Sequence, residues 1–264
     1  MRRTQRPSPF LTRFLLLCCT FSLATLVPAA QTNNDNIARA RKILNEFDDL
    51  WRGQSSYGKF TMHVKTRHYS RTLKMEGWSK GTEQTLVRIL KPLKEKGTAT
   101  LKSQQTIYSY LPRTDRTIRL TSGMMMGSWM GSHFTNDDLV KESRLDEDYI
   151  PRITFEGKRD GQEVLVFELE PKPEAPVVWG KLELMIAKQD NLPVYEKFFD
   201  EDMRLARTLT FSQIKPLSGR PRPSVMRLTP ADKRGEYTEF IYDNLQLDIP
   251  IKDSFFSLSN LKRY

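Results

Sequence analysis

The feature that most constrains this chain is how often its hydrophobicity repeats with a period of two. Phe60, Met62 and Val64 alternate with Thr61, His63 and Lys65, and Leu73 and Met75 alternate with Thr72, Lys74 and Glu76. Val87 and Ile89 flank Arg88, with Leu86 and Leu90 adding apolar character to the other face; Tyr108 and Tyr110 flank Ser109. Successive side chains of a strand point to opposite faces, so each run predicts a half-buried strand. The pattern resumes over 152–156, 164–169, 178–187, 193–200, 203–214, 224–228 and 237–247. Asp160-Gly161 is a hairpin signal between the first two of these. Prolines 171, 173 and 176 stiffen one connection, and 216, 221 and 223 another. Short spacings between about ten or eleven such strands predict an antiparallel meander. The long helix precedes them. Ile37, Ala40, Ile43, Leu44, Phe47, Leu50 and Trp51 share one face of residues 35–51, with Asn34 or Asp35 as cap and Gly53 after the end. Residues 135–143 fit a short helix, and 253–258 one helical turn with Phe255 and Phe256 turned inward. No composition break marks a second domain. One strongly curved sheet, closed or nearly closed, is the economical architecture, because closure removes exposed edges.

Residues 123–138, GMMMGSWMGSHFTNDD, interrupt the alternation. Met124, Met125, Met126 and Met130 are four of the chain's ten methionines, accompanied by Trp129 and Phe134. Gly123, Gly127 and Gly131 recur every four residues and argue against a stable helix or strand. Loops usually face water and are polar. A flexible apolar loop needs a greasy surface to lie against, and methionine adapts to irregular ones. Two readings stay open: the loop plugs the protein's own core, or it covers an apolar cavity and moves when ligand enters.

The chain begins with a processing signal. Arg2, Arg3, Arg6 and Arg13 form a basic region, 14–27 is an apolar run too short for a comfortable membrane span, and Val27-Pro28-Ala29-Ala30 supplies the small residues of a cleavage site. Residues 1–30 are therefore expected to be a signal peptide cleaved near Ala29/Ala30, with an uncleaved anchor as the alternative, and 31–264 a single domain. Cys18 and Cys19 follow Leu17, where a lipoprotein signal needs a small residue; they are the only cysteines, so the mature chain folds on its core alone. The formal net charge of +10 includes four leader arginines, leaving +6. A basic protein outside the cytoplasm meets anionic membrane surfaces rather than nucleic acid.

No motif for catalysis, metal or cofactor emerges. His63, His68 and His133 lack the spacing of a metal site. Asp137-Asp138 and Asp146-Glu147-Asp148 suit helix starts, Ser128 and Ser132 lack a nucleophile-elbow context, and no glycine-rich phosphate loop follows a strand. An enzyme would have to draw on Glu83, His133 or Asp137.

Four segments resemble the LolA-like family, and more specifically its branch of outer-membrane lipoprotein-sorting proteins. They are LVRILKPLKEKG at 86–97, IYSYLP at 107–112, SWMGSHFTNDDL at 128–139 and Leu192-Pro193-Val194. The third is the most specific, and the resemblance spans the mature chain. It implies a mainly β fold with helices: a half-open antiparallel barrel covered by an N-terminal helix and a lid loop. It also implies a periplasmic, non-enzymatic carrier for acyl chains of lipoproteins or for phospholipid. Such a carrier would work as a monomer between an inner-membrane transporter and an outer-membrane acceptor, in outer-membrane biogenesis. An acyl chain exposed to water costs about 0.8 kcal/mol per methylene, so transit needs a cover. The expected cavity residues are Trp78, Val87, Ile89, Tyr108 and Tyr110, with Met124, Met125, Met126, Trp129, Met130 and Phe134 as lid. In the family a basic residue before a proline holds the lid; Lys91-Pro92 matches, with lysine lacking arginine's planar fork of donors. The alternative is an accessory module of an inner-membrane transporter, with the loop docking on that partner and no free lipid cargo.

Overall fold

The computed structural model describes residues 29–263, apart from 105, 141–144 and 176. Of the expected signal peptide, 1–28 lie outside the described residues. Helix α1 (Ala29–Arg52) leads into β1 (Ser55–Lys65), β2 (Ser70–Lys80), β3 (Gln84–Lys91), β4 (Ala99–Ser103), β5 (Thr106–Leu111) and β6 (Arg116–Arg119). A roof segment with the short helices α2 (Asn136–Val140) and α3 (Leu145–Asp148) follows. The second run is β7 (Tyr149–Arg159), β8 (Gln162–Pro171), β9 (Lys181–Ala187), β10 (Leu192–Phe199), β11 (Leu205–Leu217), β12 (Arg220–Pro230) and β13 (Tyr237–Leu247), then α4 (Leu258–Leu261).

These thirteen strands form one antiparallel sheet in the order β6-β5-β4-β3-β2-β1-β13-β12-β11-β10-β9-β8-β7. Only the β1–β13 junction joins strands distant in sequence. Among the described residues β6 and β7 do not pair, so the barrel stays open, and the segment linking these two edges crosses its mouth. Two strands lie beyond the eleven runs read from alternation. β4 is buried on both faces, through Ala99, Thr100, Leu101 and Lys102, so it shows no period of two. β6 is a short, mostly exposed edge with two arginines, a composition that protects edges rather than announcing strands. Prolines 216, 221 and 223 belong to β11 and β12, with Pro216 paired to Pro221, instead of a stiff connection. The Asp160-Gly161 turn has both φ positive, as a tight hairpin requires.

α1 starts earlier than expected, with Asn34 and Asp35 inside it. Its apolar stripe holds: Ala40, Leu44 and Phe47 pack on Leu165, Phe167, Leu169, Leu182, Leu184 and Ile186 from the inner face of β8 and β9. Asn36 donates to the Ile153 carbonyl at 3.0 Å and accepts from its N–H at 2.8 Å, covering the β7 edge. In the other half both sheet faces are covered. The inner face carries Met62, Val64, Leu73, Met75, Val87 and Ile89 beneath Trp129. The outer face carries Leu86, Ala99, Leu101 and Tyr110 beneath Phe256 and Leu261 of the C-terminal segment. Phe255 and Phe256 thus turn inward as expected, from a short 3₁₀ turn at Asp253–Phe255.

Candidate functional site

Inside the curved sheet lies a cavity of about 530 Å³, within the range of ordinary ligand sites. Its space follows from the register of β1 and β2. Ser56 pairs with Ser79 and Gly58 with Gly77, so one end of the inner face carries almost no side-chain volume. Further along the same face Phe60, Met62, Leu73 and Met75 fill the interior. A Cβ on Gly77 would sit 3.2 Å from the Phe60 ring, a tight contact that the ring would have to yield to. The opposite wall is aromatic and aliphatic, with Trp179, Phe198, Phe211, Met226, Leu228 and Phe240. Phe47 of α1 closes one side.

The roof is held by polar contacts along one stretch. Trp129, 4% exposed, donates from Nε1 to Thr100 Oγ1 at 3.1 Å and lies 6.1 Å from the Phe240 ring. Phe134 packs tilted against Phe240, with ring centroids 5.1 Å apart. The Tyr69 hydroxyl donates to the Gly131 carbonyl at 2.6 Å, and Gly131 has φ +67°. The His133 N–H donates to Thr238 Oγ1 at 2.9 Å, and its Nε2 lies 3.1 Å from Glu236. That imidazole, with the Arg67 N–H, holds the Glu236 carboxyl below the usual carboxylate range. At the root of α2, Arg207 of β11 makes a two-pronged pair with Asp138, at 2.8 and 2.6 Å. Its guanidinium lies over Trp179 at 4.5 Å and Phe198 at 4.3 Å. Arg207 and Asp138 both line the cavity. Nearby, burial and the carboxylates of Glu196, Asp148 and Asp137 push the Tyr149 hydroxyl up. Among the described residues no group of three His, Cys, Asp or Glu could hold a metal ion.

A family model described as "Uncharacterized protein" matches residues 81–263. Three solved structures share the fold nearly end to end. A DUF1329-family protein from Desulfovibrio piger aligns with TM-score 0.77 at 22% identity, over 86% of this chain and 99% of its own. A Vibrio parahaemolyticus domain named for outer membrane lipoprotein sorting aligns with TM-score 0.74 at 27% identity, over 86% and 100%. A LolA superfamily protein from Nitrosomonas europaea aligns with TM-score 0.70 at 22% identity, over 84% and 98%. This chain belongs to the LolA-like family. No curated protein matches it.

Against the expectations from the LolA-like resemblance, the structure sorts the named residues by face. Val87, Trp129 and Phe134 line the cavity. Ile89 shares their face but is fully covered by the roof. Trp78 borders the cavity, yet its ring packs on Tyr57 and Phe255, each 5.2 Å away, on the outer face. Tyr108 and Tyr110 also belong to that outer cluster. The reason is parity: Trp78 pairs with Leu86 and Leu86 with Leu101, which pairs with Tyr108, one residue out of phase with Gly77 and Val87. Met130 packs against the core beneath the roof in a left-handed conformation. Met124 and Met126 are 42% and 54% exposed and, with half-buried Met125, lie outside the cavity lining. Lys91 is exposed at the end of β3; the arginine that grips the roof is Arg207, from a different strand. Arg207 was legible as a charge two residues before Leu209 on the same strand face, a place that buried sheets tolerate only when the charge is paired, but its partner was not.

Proposed function

We propose that this LolA-like protein is a periplasmic carrier that binds acyl chains of lipoproteins or other lipids non-covalently and passes them between membranes. The observation that carries this reading is the apolar cavity beneath a latched roof. A chain buried there trades one apolar environment for another, so transfer from a membrane is nearly balanced and small affinity differences set its direction. The likeness to the Vibrio parahaemolyticus domain named for lipoprotein sorting supports the same reading, as does the expected signal peptide. Among the described residues no helix is long and apolar enough to cross a membrane. The reading calls for no catalytic residue. Cargo would reach the cavity from an inner-membrane transporter and leave to an outer-membrane acceptor.

A second reading, docking on a transporter's periplasmic part, is favoured by the exposure of Met124 and Met126 at the tip of the roof. It is compatible with the first if the tip meets the partner while the roof guards the cargo.

Filling the cavity tests the carrier reading. Ser79→Phe projects a ring into the space between Gly77 and Gly81 and leaves the core clusters intact. A fluorescent long-chain acyl probe is expected to bind the wild type, and at least about tenfold more weakly to the variant, at an unchanged urea midpoint. Equal binding to both would remove the cavity from the mechanism.

A further inference from the structure

The sheet is not continuous around the cavity. β12 pairs with β13 through four residues only, Val225–Leu228 against Ile241–Thr238. Beyond them β13 continues to Leu247 on its β1 side, and β12 begins at Arg220 on its β11 side. Over 220–224 and 242–247 the two strands run without a shared ladder. Pro221 and Pro223 give a sequence reason, since neither has an N–H to donate. The outer end of the gap is bridged where the Leu247 N–H donates to Ser218 Oγ at 3.0 Å. The residues around the gap, Leu217, Arg222, Pro223, Tyr242, Leu245 and Leu247, all line the cavity. The gap is a break in the ladder of the wall, separate from the roof, and a candidate lateral mouth.

Charge is distributed unevenly between this mouth and the far end. Arg222 is buried in the cavity wall, 5% exposed, and donates to the Leu50 carbonyl. Exposed Lys215 and Arg220 flank it on the β11–β12 hairpin. Burial and the charge of Arg220 pull the Arg222 guanidinium below its ordinary value, while Asp248 and Tyr242 oppose them. At the other end the lining includes Asp137, Asp138 and Glu196, with the charge of Asp138 matched by Arg207. Arg207 pairs with Pro230, eight residues along β12 from Arg222, or roughly 26 Å at about 3.3 Å per residue. An acyl chain in one bilayer leaflet spans half of the roughly 30 Å hydrocarbon thickness, so a chain fits between the two ends. A reversed ligand would bring its anion to the end lined by the Asp137, Asp138 and Glu196 carboxylates.

We infer that the β12–β13 mouth is the headgroup site of the cavity: it takes an amphiphile with a phosphate headgroup, seated against Arg222 with Lys215 and Arg220 at the rim, its acyl chain running inward beneath Trp129 and Phe134. This rests on the carrier reading and adds the polar chemistry and the orientation of the cargo.

The test compares dodecyl phosphate, dodecyl maltoside and inorganic phosphate, below micelle-forming concentrations, as competitors for a bound acyl probe. The wild type is expected to prefer dodecyl phosphate over the maltoside by about tenfold, the scale of a hydrogen bond to a charged group. Inorganic phosphate alone should not compete. Arg222→Gln should abolish the preference and leave maltoside binding intact, whereas Arg222→Lys should keep most of it. Lys215→Gln/Arg220→Gln alters only exposed positions and should reduce the preference about threefold, so it decides the matter if Arg222→Gln fails to fold. A preference untouched by the Arg222 and rim variants, or competition by inorganic phosphate as strong as by dodecyl phosphate, overturns the headgroup site. Maltoside binding with no preference for phosphate overturns it alone and leaves the carrier reading standing; failure of both amphiphiles to bind overturns the two together.

Discussion

The roof of this protein has two parts with similar apolar composition and opposite fates. Trp129, Met130 and Phe134 are packed on the inner sheet face, while Met124 and Met126, a few residues earlier, face solvent. What separates them is the polar framework. The packed part is held by Trp129 to Thr100, Tyr69 to Gly131, His133 to Thr238 and Glu236, and Asp138 to Arg207. The exposed part is tied chiefly to its own loop, through Asn136 and Asp137 bonding to the Met124 and Met125 carbonyls. Apolar side chains supply the adhesion, but hydrogen bonds to particular strands decide which of them reach the cavity. The buried stretch is part of the core and of the cavity wall; the exposed tip presents its side chains to solvent.

Four perturbations break or sharpen that contrast. The largest effect is expected from Trp129→Ala, which removes a buried ring and its hydrogen bond; a loss of about 4 kcal/mol in urea unfolding is in line with large-to-small core changes. Arg207→Gln leaves Asp138 facing the cavity without its guanidinium. A loss of about 3 kcal/mol is expected for a broken buried pair, together with faster proteolysis near α2. Acidification probes the His133 latch. The Glu236 carboxyl titrates below its ordinary value of 4.5, so its stabilisation is complete above that value and is lost as pH falls through the lower folded one. The difference between wild type and Glu236→Gln in Trp129 fluorescence should therefore be present at neutral pH and vanish in acid; a difference that persists in acid would assign the latch to other groups. The smallest effect is expected from Met124→Ser/Met126→Ser, with stability changed by no more than about 0.5 kcal/mol and acyl-probe affinity unaltered. A marked loss of affinity there would erase the distinction between tip and buried stretch.

Much of the fold could be read from local pattern. The period of two gave most of the strands, the stripe of α1 gave its packed face, and the glycine-spaced methionines marked a segment unlike the rest. The missing strands lack the property that makes strands visible: β4 is buried on both faces and β6 is a short, exposed, basic edge. The site was less legible because its membership depends on which face is inside. Trp78, Tyr108 and Tyr110 alternate as cleanly as Val87, and only the C-terminal segment, covering the outer face with Phe256 and Leu261, makes their side a second core. The Arg207–Asp138 grip joins residues 69 apart in sequence, and Arg222 matters through a gap in pairing that two prolines hint at and only the register of β12 on β13 reveals. Lys91 drew attention through its neighbour in sequence, whereas the gripping arginine comes from a strand that reaches the roof only in three dimensions.

Native mass spectrometry with lipid extraction, on protein purified from the periplasm, reads whether the cavity carries lipid. An adduct of phospholipid or acylated peptide is expected on the wild type and none on Ser79→Phe. A clean unliganded mass for the wild type, unchanged when lipid or lipopeptide is offered, would contradict it and leave the exposed methionine tip as the functional surface.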